Sequence, residues 1–397
     1  MINNFSKNIW LVAFFSFFLS ISTQMLYSHL ALFLKFGCDV SELKIATIDG
    51  FVEFLSYIIR VFSGAISDYL YDRKLFLLIG CSIAIIVKPI FAVTNSFFIV
   101  FFTEIAERLG SGIQASPRDA LIADLSDNKK LGTSFGFCKA MKTTGGIIGS
   151  LIALIIVYFS CNNYRLLFTL STIPAIFAIF CMKKIKIPDS KNKKLNNKTQ
   201  KLNNPFSKKY LKSLDLAFWR LIFLAFLCEL GHFGESLLTL RASHLLSPNF
   251  AGITSVFGAL GQILFAYFLG IASDKIEKFK ILKINLTLIL ISYILMGFSL
   301  SPVAYFLGIF SMYGQYAVIQ LIFLSLINSH VSKNLRGTAI GVFYCTIGFS
   351  YMISTRTCGF LCQNFGYSPA FLYTFFMSAI ALLIVLNHSS KEKVQQS

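Results

Sequence analysis

The sequence has 397 residues, of which 55% are hydrophobic and only 14% are charged. Soluble domains carry about 25% charged residues, so this composition excludes an ordinary water-soluble enzyme as well as a disordered or collagen-like chain. It indicates a helical protein that crosses a lipid bilayer many times. The formal net charge of +18 is typical of nucleic-acid-binding proteins only where the basic residues form a binding surface.

Long apolar segments follow one another along the whole chain. A helix needs roughly 20 mostly apolar residues to cross a hydrocarbon core that is about 30 Å thick. Twelve segments meet this requirement, and the first is too long for the apolar part of a signal peptide. They cover residues 9–34, 46–67, 75–95, 97–122, 133–159, 166–182, 218–241, 251–272, 281–300, 303–328, 337–361 and 369–387. The predicted fold is an all-α membrane protein with twelve transmembrane helices.

The basic residues are concentrated between the sixth and seventh predicted spans. Residues 183–212 contain eleven lysines and one acidic residue, Asp189, which accounts for ten of the eighteen net positive charges. With a cytoplasmic N-terminus, the inner segments hold 23 lysines and arginines and the outer loops hold four. Because basic loops stay on the cytoplasmic side, we expect both termini to be cytoplasmic and expect no nucleic-acid partner. The Lys, Asn, Ile and Phe bias favours a bacterial inner membrane.

Two short motifs occur twice at almost the same offset. Gly-Ala-Ile-Ser-Asp at 64–68 recurs as Gly-Ile-Ala-Ser-Asp at 270–274, and Gly-Thr-Ser-Phe-Gly at 132–136 recurs as Gly-Thr-Ala-Ile-Gly at 337–341. The offsets of 206 and 205 residues predict two parallel six-helix halves, which enclose a site near the bilayer midplane. We therefore predict an N-terminal half at 1–182, a Lys/Asn-rich cytoplasmic linker at 183–213 and a C-terminal half at 214–397.

The segment after the second predicted span resembles the inner loop of the major facilitator superfamily of secondary transporters, whose pattern is close to G-x-x-x-D-R-x-G-R-R-K. The first copy keeps Gly64, Asp68, Arg73 and Lys74, and the second keeps Gly270, Asp274 and Lys275. Tyr69 and Tyr71 depart from the pattern. The resemblance covers essentially the whole chain. It implies two pseudo-symmetric six-helix halves and an inner gate that Asp68 and Asp274 hold shut through basic groups or a helix N-terminus.

Residues 108–124 resemble a narrower bacterial subgroup with the pattern R-x-G-K-G-x-R-x-x-P-R-D-A-L-I-A, although Ser111 and Gln114 replace its second Lys and Arg. The stretches 50–53 (Gly-Phe-Val-Glu) and 234–242 (Gly-Glu-Ser-Leu-Leu-Thr-Leu-Arg-Ala) also resemble that subgroup. Its members are mostly transporters assigned by likeness, often as drug-resistance permeases. The resemblance therefore implies transport without naming a substrate.

Ionisable side chains inside a span cost about 2.5–3.5 kcal/mol on insertion scales, so they face a cavity or a partner. In the first half these residues are Glu53, Arg60, Lys88, Glu104, Glu107 and Arg108. We select Glu53, Lys88, Glu104 and Arg108 as candidates for proton coupling or substrate binding. Arg108 with Gly112 resembles the family's R-x-x-x-G pattern, whose Arg is associated with proton coupling in antiporters. Either Arg108 forms a structural pair with Glu104, or it keeps Glu53 or Glu104 ionised until substrate or a proton competes.

Lys88 precedes Pro89 in the third predicted span, and it either snorkels outward or serves as a cavity cation for an anionic substrate. Lys139 and Lys142, in the inner part of the fifth span, either reach the cytoplasmic interface or line an inward cavity. Gly112 in the fourth span and the G-x-x-x-G pair Gly145 and Gly149 in the fifth predict close helix packing.

In the second half, Glu229, His232 and Glu235 are spaced by three residues, which places them on one broad face of a continuous helix. Two carboxylates beside a histidine can carry protons near neutral pH, although a lone histidine is more often simply packed. Arg356 in the eleventh span is the expected counter-charge. The nine cysteines include no C-x-x-C pair, so we expect no disulfide framework, no metal site and no cofactor.

Together these features predict a proton-coupled secondary transporter that moves a small organic solute by alternating access, with export slightly favoured over uptake of a metabolite. A non-transporting membrane sensor or scaffold is the alternative from another class, and the cost of the embedded charges argues against it. The sequence has no P-loop, H-E-x-x-H or G-x-S-x-G motif, so we expect neither ATP drive nor enzymatic activity. The expected partners are protons, a small-molecule substrate and lipid, and we expect a monomer.

Overall fold

The computed structural model describes residues 5–70, 72–126, 131–185, 214–273, 276–331 and 336–396. In these ranges the chain is almost entirely helical and has no β-strand. In chain order the helices are α1 (Lys7–Leu32), α2 (Glu42–Leu70), α3 (Arg73–Val93), α4 (Phe97–Leu125), α5 (Leu131–Phe159), α6 (Tyr164–Leu170), α7 (Thr172–Lys183), α8 (Leu216–Leu230), α9 (Glu235–Leu245), α10 (Pro248–Ala251), α11 (Ile253–Ser273), α12 (Lys278–Phe298), α13 (Pro302–His330), α14 (Arg336–Phe365) and α15 (Tyr367–Gln396). A π-helical turn, Phe33–Gly37, extends α1.

Each of the twelve predicted apolar segments is mostly helical, which confirms the prediction of an all-α fold. By length and composition, nine helical segments of the described ranges are suited to crossing a membrane. The helices α2 and α4 are not among these nine, and each carries three acidic or basic residues near its middle. The embedded charges of the first half are therefore concentrated on the two helices whose apolar character they reduce.

Several helix starts are fixed by a local side chain. At the N-termini of α1, α3, α6 and α8, a side-chain oxygen accepts a hydrogen bond from a backbone N–H of the first turn. These capping residues are Ser6, Asp72, Asn163 and Asp215.

Two predicted spans are each formed by two helices. The sixth consists of α6 and α7, which meet at Ser171. The seventh consists of α8 and α9, and residues 231–234 between them are not helical. The prediction of a continuous helix over 218–241 is wrong because glycines stand at both ends of this break. A side chain at Gly231 would collide with the Ser378 hydroxyl, so the close packing at this position requires glycine.

Contacts divide the chain into two compact units. The first comprises Met1–Phe33 and Leu55–Asn204, and the second comprises Leu34–Phe54 and Pro205–Ser397. The predicted domains 1–182, 183–213 and 214–397 stay a prediction. The contact-based division differs from them mainly because it assigns the first half of α2 to the second unit.

The first unit is built around α1, which packs on α5 and α7, while α3 packs on α4 and α7. Gly145 and Gly149 of α5 lie against the backbone of α1 at Phe17 and Ile21, where any side chain would collide with a carbonyl oxygen. Gly112 of α4 lies against the backbone of α2, and its carbonyl accepts a 3.1 Å hydrogen bond from the Ser63 hydroxyl. The glycines selected from the sequence thus lie where helices approach closely.

In the second unit α13 packs on α11 and α12, α15 packs on α12, and α8 packs on α14. The first half of α2 lies against α14 through two glycines. A side chain at Gly50 would collide with Thr355 and the Met352 backbone, and one at Gly359 would collide with Ala46. This crossing fixes the first half of α2 against the helix that carries Thr355.

Candidate functional site

A buried ion pair joins α3 and α4 in the first unit. Lys88 Nζ lies 3.0 Å from Glu107 Oε1, and the two side chains are 0% and 3% exposed. Lys88 therefore neither snorkels outward nor stands open in a cavity, and both alternatives drawn from its sequence position are wrong. Its partner, Glu107, was not selected as a site residue because sequence spacing does not show which helices are neighbours. A pair this deeply buried holds α3 and α4 together as long as both charges are present.

Arg108 lies over an aromatic ring of α1. Its guanidinium carbon is 4.0 Å from the centroid of the Tyr27 ring, which is within the range of a cation–π contact. Glu104, one turn earlier on α4, is buried at 4% exposure. The sequence did not predict the contact with Tyr27, because many aromatic residues of this chain could face Arg108.

The helices α2, α4 and α5 carry a cluster of basic side chains around one carboxylate. Arg60 Nη2 lies 3.3 Å from Asp119 Oδ2, and Arg118 donates from Nε and Nη2 to Asp119 Oδ1 at 3.3 and 3.1 Å. Lys139 and Lys142 of α5 are exposed. The charges of Arg118, Arg60 and Asp119 act on Lys142. The two alternatives for these lysines, the cytoplasmic interface and an inward cavity, stay predictions.

The basic residues of the first inner-loop motif bind the ends of other helices in the first unit. Arg73 donates to the Asp124 carboxylate and to the Ala120 carbonyl near the end of α4. Lys74 Nζ donates to the carbonyls of Lys183 and Ile185 at 3.0 and 2.7 Å. These contacts tie the start of α3 to the ends of α4 and α7.

Among the glycine and acidic positions of this motif, Gly64 packs against the Ser116 side chain of α4. The side chain of Asp68 lies outside the described residues, and so do Asp274 and Lys275 and the surroundings of Gly270. Their gating role stays a prediction.

The break in the seventh span holds a carboxylate–imidazole pair. Glu229 is in the last turn of α8, and its Oε1 lies 2.7 Å from His232 Nδ1. The His232 ring stacks on Tyr316 with centroids 3.9 Å apart and meets Tyr351 edge-on at 5.1 Å. Because the helix breaks here, these residues do not share one helix face as their spacing predicted.

Hydroxyl groups from two other helices stabilise the backbone at this break. Ser354 of α14 donates to the carbonyls of Leu230 and His232 at 2.7 and 2.8 Å. Tyr293 of α12 donates to the Gly231 carbonyl and shares a 3.1 Å hydrogen bond with the Tyr316 hydroxyl. These groups supply partners for carbonyls that a continuous helix would have satisfied internally. Sequence reasoning did not select Tyr293 or Tyr316, since nothing in their spacing sets them apart from the other tyrosines.

A second acidic group surrounds Tyr351 and the start of α9. Asp49 Oδ2 accepts a 3.4 Å hydrogen bond from the backbone N–H of Ser236 and lies 3.5 Å from the Tyr351 hydroxyl. Glu235, the first residue of α9, accepts a 3.1 Å hydrogen bond from Ser255. The charges of Asp49, Glu53 and Glu235 all lie within electrostatic reach of Tyr351.

This group brings together the two subgroup-like stretches at 50–53 and 234–242. Asp49 immediately precedes the first stretch and is an ionisable residue inside the predicted span 46–67, and these two sequence signals could have identified it.

Arg356 is not the counter-charge that the sequence predicted for this cluster. Its neighbour Thr355 faces Gly50 and Gly234, and the next residue on a helix points about 100° away. Arg356 is accordingly exposed, and it forms no ion pair with any residue that the structure describes. Within the same ranges, no group of three His, Cys, Asp or Glu residues could hold a metal ion.

Comparisons with known proteins agree with this architecture. A sequence profile of the Major Facilitator Superfamily matches residues 9–240 and 231–397. An uncharacterized MFS-type transporter of Methanocaldococcus jannaschii is 27% identical over 398 residues, which cover 96% of this chain and 94% of that protein.

Solved transporter structures are also similar to the chain. A mutant of the nucleoside transporter NupG superposes with a TM-score of 0.82 at 11% identity, covering 96% of this chain and 99% of that chain. A D-xylose-proton symporter superposes with a TM-score of 0.74 at 15% identity, covering 95% and 96%. At these identities the structural similarity establishes the fold alone.

Proposed function

We propose that this chain, which belongs to the major facilitator superfamily, couples the movement of a small organic solute to protons by alternating access. Membership of the family makes it a multi-pass membrane protein and a secondary transporter of a small molecule. The proposal adds the coupling ion and the direction. Export is slightly favoured, and uptake of a metabolite is the alternative.

The observation that carries the proton coupling is the Glu229–His232 pair in the break of the seventh span. Histidine is the side chain whose charge changes most readily near neutral pH, and His232 Nδ1 lies 2.7 Å from a carboxylate oxygen, a distance at which a proton can be transferred. Broken helices at membrane depth are the usual place for ion and substrate sites in such transporters. A proton bound here changes the net charge of the Glu229–His232 pair. This change alters the relative free energies of the inward-facing and outward-facing conformations.

The acidic group of Asp49, Glu53 and Glu235 supports a second step of this coupling. Asp49 interacts with the N-terminus of α9, where a negative charge is favourable, and protonation removes that charge. We propose that this contact holds the first half of α2 on the second unit and weakens when Asp49 is neutralised. The charges of Glu53 and Glu235 act on the same region.

The proposals on membrane location, topology, oligomeric state and the inner gate come from the sequence pattern. We propose a bacterial inner membrane, cytoplasmic termini and a working monomer, supported by the 23-to-4 distribution of basic residues between inner segments and outer loops. The inner gate is assigned to the loop that begins at Gly64 and to its second copy, which begins at Gly270. Arg73 and Lys74 support this assignment because they tie the helix ends of the first unit together.

The test uses purified protein in liposomes that contain a pH-sensitive dye and are exposed to a panel of nucleosides, sugars, amino acids and organic acids. At least one compound should drive proton movement that an uncoupler alters. His232→Gln should reduce that proton movement at least tenfold while exchange of labelled for unlabelled solute continues, because the binding site is intact.

The matched control is His244→Gln, since His244 belongs to the same unit but is exposed and stacks only loosely on Tyr367. It should behave as the unaltered protein does. Solute movement that does not depend on the proton gradient, or proton movement that is unchanged in His232→Gln, would contradict the proposed coupling. A membrane sensor without transport would give neither exchange nor proton movement with any compound.

A further inference from the structure

In the basic cluster of the first unit, the described contacts join more cationic side chains than carboxylates. Asp119 bridges Arg60 of α2 and Arg118 of α4, with hydrogen bonds of 3.1–3.3 Å. Arg118 uses Nε and Nη2 for this bridge, which leaves its Nη1 without a hydrogen bond to a described residue. One carboxylate therefore orients two guanidinium groups.

Two lysines of α5 add to this excess. The charges that act on Lys142 come from Arg118, Arg60, Lys139 and Asp119, which are three cations and one carboxylate. Cys138 lies one turn before Lys142 on the same helix face and is likewise within reach of Arg118 and Asp119. Two separate positions thus place this face of α5 beside the arginine pair.

The depth of the cluster distinguishes it from charges that only set the membrane topology. Lys142 lies eleven residues after the start of α5, which corresponds to about 16 Å at roughly 1.5 Å per residue. Arg60 and Arg118 lie ten and seven residues before the ends of α2 and α4. Topology-setting residues belong to loops and helix ends, whereas charges at depth mark substrate or ion pathways.

The cluster also differs from the Lys88–Glu107 pair in a way that matters for binding. Lys88 and Glu107 neutralise each other and are almost completely buried, so this pair does not attract a further ion. Lys139 and Lys142 are exposed, and Arg118 is partly exposed. An unbalanced and accessible group of cations attracts an anion, and a guanidinium group binds carboxylate or phosphate with two parallel hydrogen bonds.

We propose that Arg118 and Lys142, supported by Arg60 and Lys139, bind the negatively charged group of the transported solute. The substrate class is a small organic anion that carries a carboxylate or a phosphate. This inference rests on the proposed transport function, but it does not depend on proton coupling. Asp119 acts as a positioning residue because it fixes the orientation of both arginines.

The test is a thermal-unfolding titration of the full-length protein in detergent at constant pH and ionic strength. The probe anions are benzoate, succinate and inorganic phosphate, and the matched neutral and cationic probes are benzamide and benzylamine. At least one anion should raise the unfolding midpoint with a saturable dependence, whereas the other two probes should not. If no anion stabilises the protein more than its matched probes do, the inference is overturned.

Variants locate the binding. Lys142→Gln and Arg118→Gln should each weaken the apparent affinity for the stabilising anion at least tenfold, and Lys142→Arg should restore most of it. Lys283→Gln, which lies on α12 in the other unit, should have no effect. If Arg118→Gln fails to fold, Lys142→Gln carries the test alone, since Lys142 is exposed. Unchanged affinity in Lys142→Gln would refute the assignment.

Anionic lipid headgroups have the same chemistry as a phosphate-bearing solute, so a second arm separates them. The titration is repeated in nanodiscs of phosphatidylcholine alone and with added phosphatidylglycerol. Stabilisation by soluble anions in both membranes supports a substrate site. Stabilisation by phosphatidylglycerol alone overturns the inference in favour of a lipid site. Neither result depends on a proton gradient, so anion binding without proton movement would remove the proposed coupling only.

Discussion

The two units hold different kinds of charge inside their helices. In the first unit basic side chains outnumber carboxylates, and the described ion pairs are Lys88–Glu107, Arg60–Asp119, Arg118–Asp119 and Arg73–Asp124. In the second unit carboxylates lie among an imidazole and phenols: Asp49, Glu53, Glu229 and Glu235 with His232, Tyr316 and Tyr351.

This difference indicates that the two units carry out different steps of transport. Lysine and arginine keep their charge across physiological pH, so they bind an anion well but transfer protons poorly. A carboxylate beside a histidine changes its protonation with a small change in its surroundings. The first unit is therefore suited to hold a charged solute and the second to exchange protons. The following predictions test each side of this comparison.

The largest effect should follow from breaking the buried pair of the first unit. Glu107→Gln leaves Lys88 buried without its counter-charge, and removing one partner of such a pair costs roughly 3–5 kcal/mol. We expect a large fall in the thermal-unfolding midpoint. The double variant Lys88→Met/Glu107→Met should recover most of it, because replacing both charges by apolar groups is nearly neutral. A double variant as unstable as the single one would mean that the pair does more than neutralise charge.

A smaller effect is expected at the acidic group of the second unit. Asp49→Asn removes a negative charge from the N-terminus of α9, which is worth about 1 kcal/mol, and keeps the shape of the side chain. The unfolding midpoint at neutral pH should fall slightly. Asp39→Asn is the control, because Asp39 is exposed in the loop before α2. Equal behaviour of the two variants would argue against a role for Asp49.

The smallest effect is expected at Arg356. It is exposed and bonded to no acidic residue that the structure describes, so Arg356→Gln should change the unfolding midpoint by no more than about 1 °C. Proton-driven solute movement should also be unchanged. A loss of transport comparable with that of His232→Gln would show that Arg356 is the counter-charge of the carboxylate cluster after all.

The sequence was sufficient to predict the helices because span formation depends on local composition. Twelve apolar segments, their basic flanks and two repeated motifs each report on their own part of the chain. The break after Leu230 was not predictable in this way. Gly231 and Gly234 stand at its ends, but the close contact between Gly231 and Ser378, which requires glycine there, depends on a helix almost 150 residues away.

The sequence was sufficient to select embedded ionisable residues but not the contacts that they make. Glu229, His232 and Lys88 were identified because ionisable residues at membrane depth are costly. Their contacts with Glu107 and Tyr316 were not identified, because the packing of other helices brings these partners to them. Arg356 failed for the same reason, since a position along a helix does not show which way a side chain points.

The different roles of the two units can be tested directly by measuring the affinity for the stabilising anion at a series of pH values. The unaltered protein should bind with an affinity that changes with pH. His232→Gln should bind the anion well and lose the pH dependence, whereas Lys142→Gln should bind at least tenfold more weakly and keep it. If His232→Gln retains the pH dependence, or if Lys142→Gln loses it, the assignment of protons to one unit and the anion to the other is contradicted.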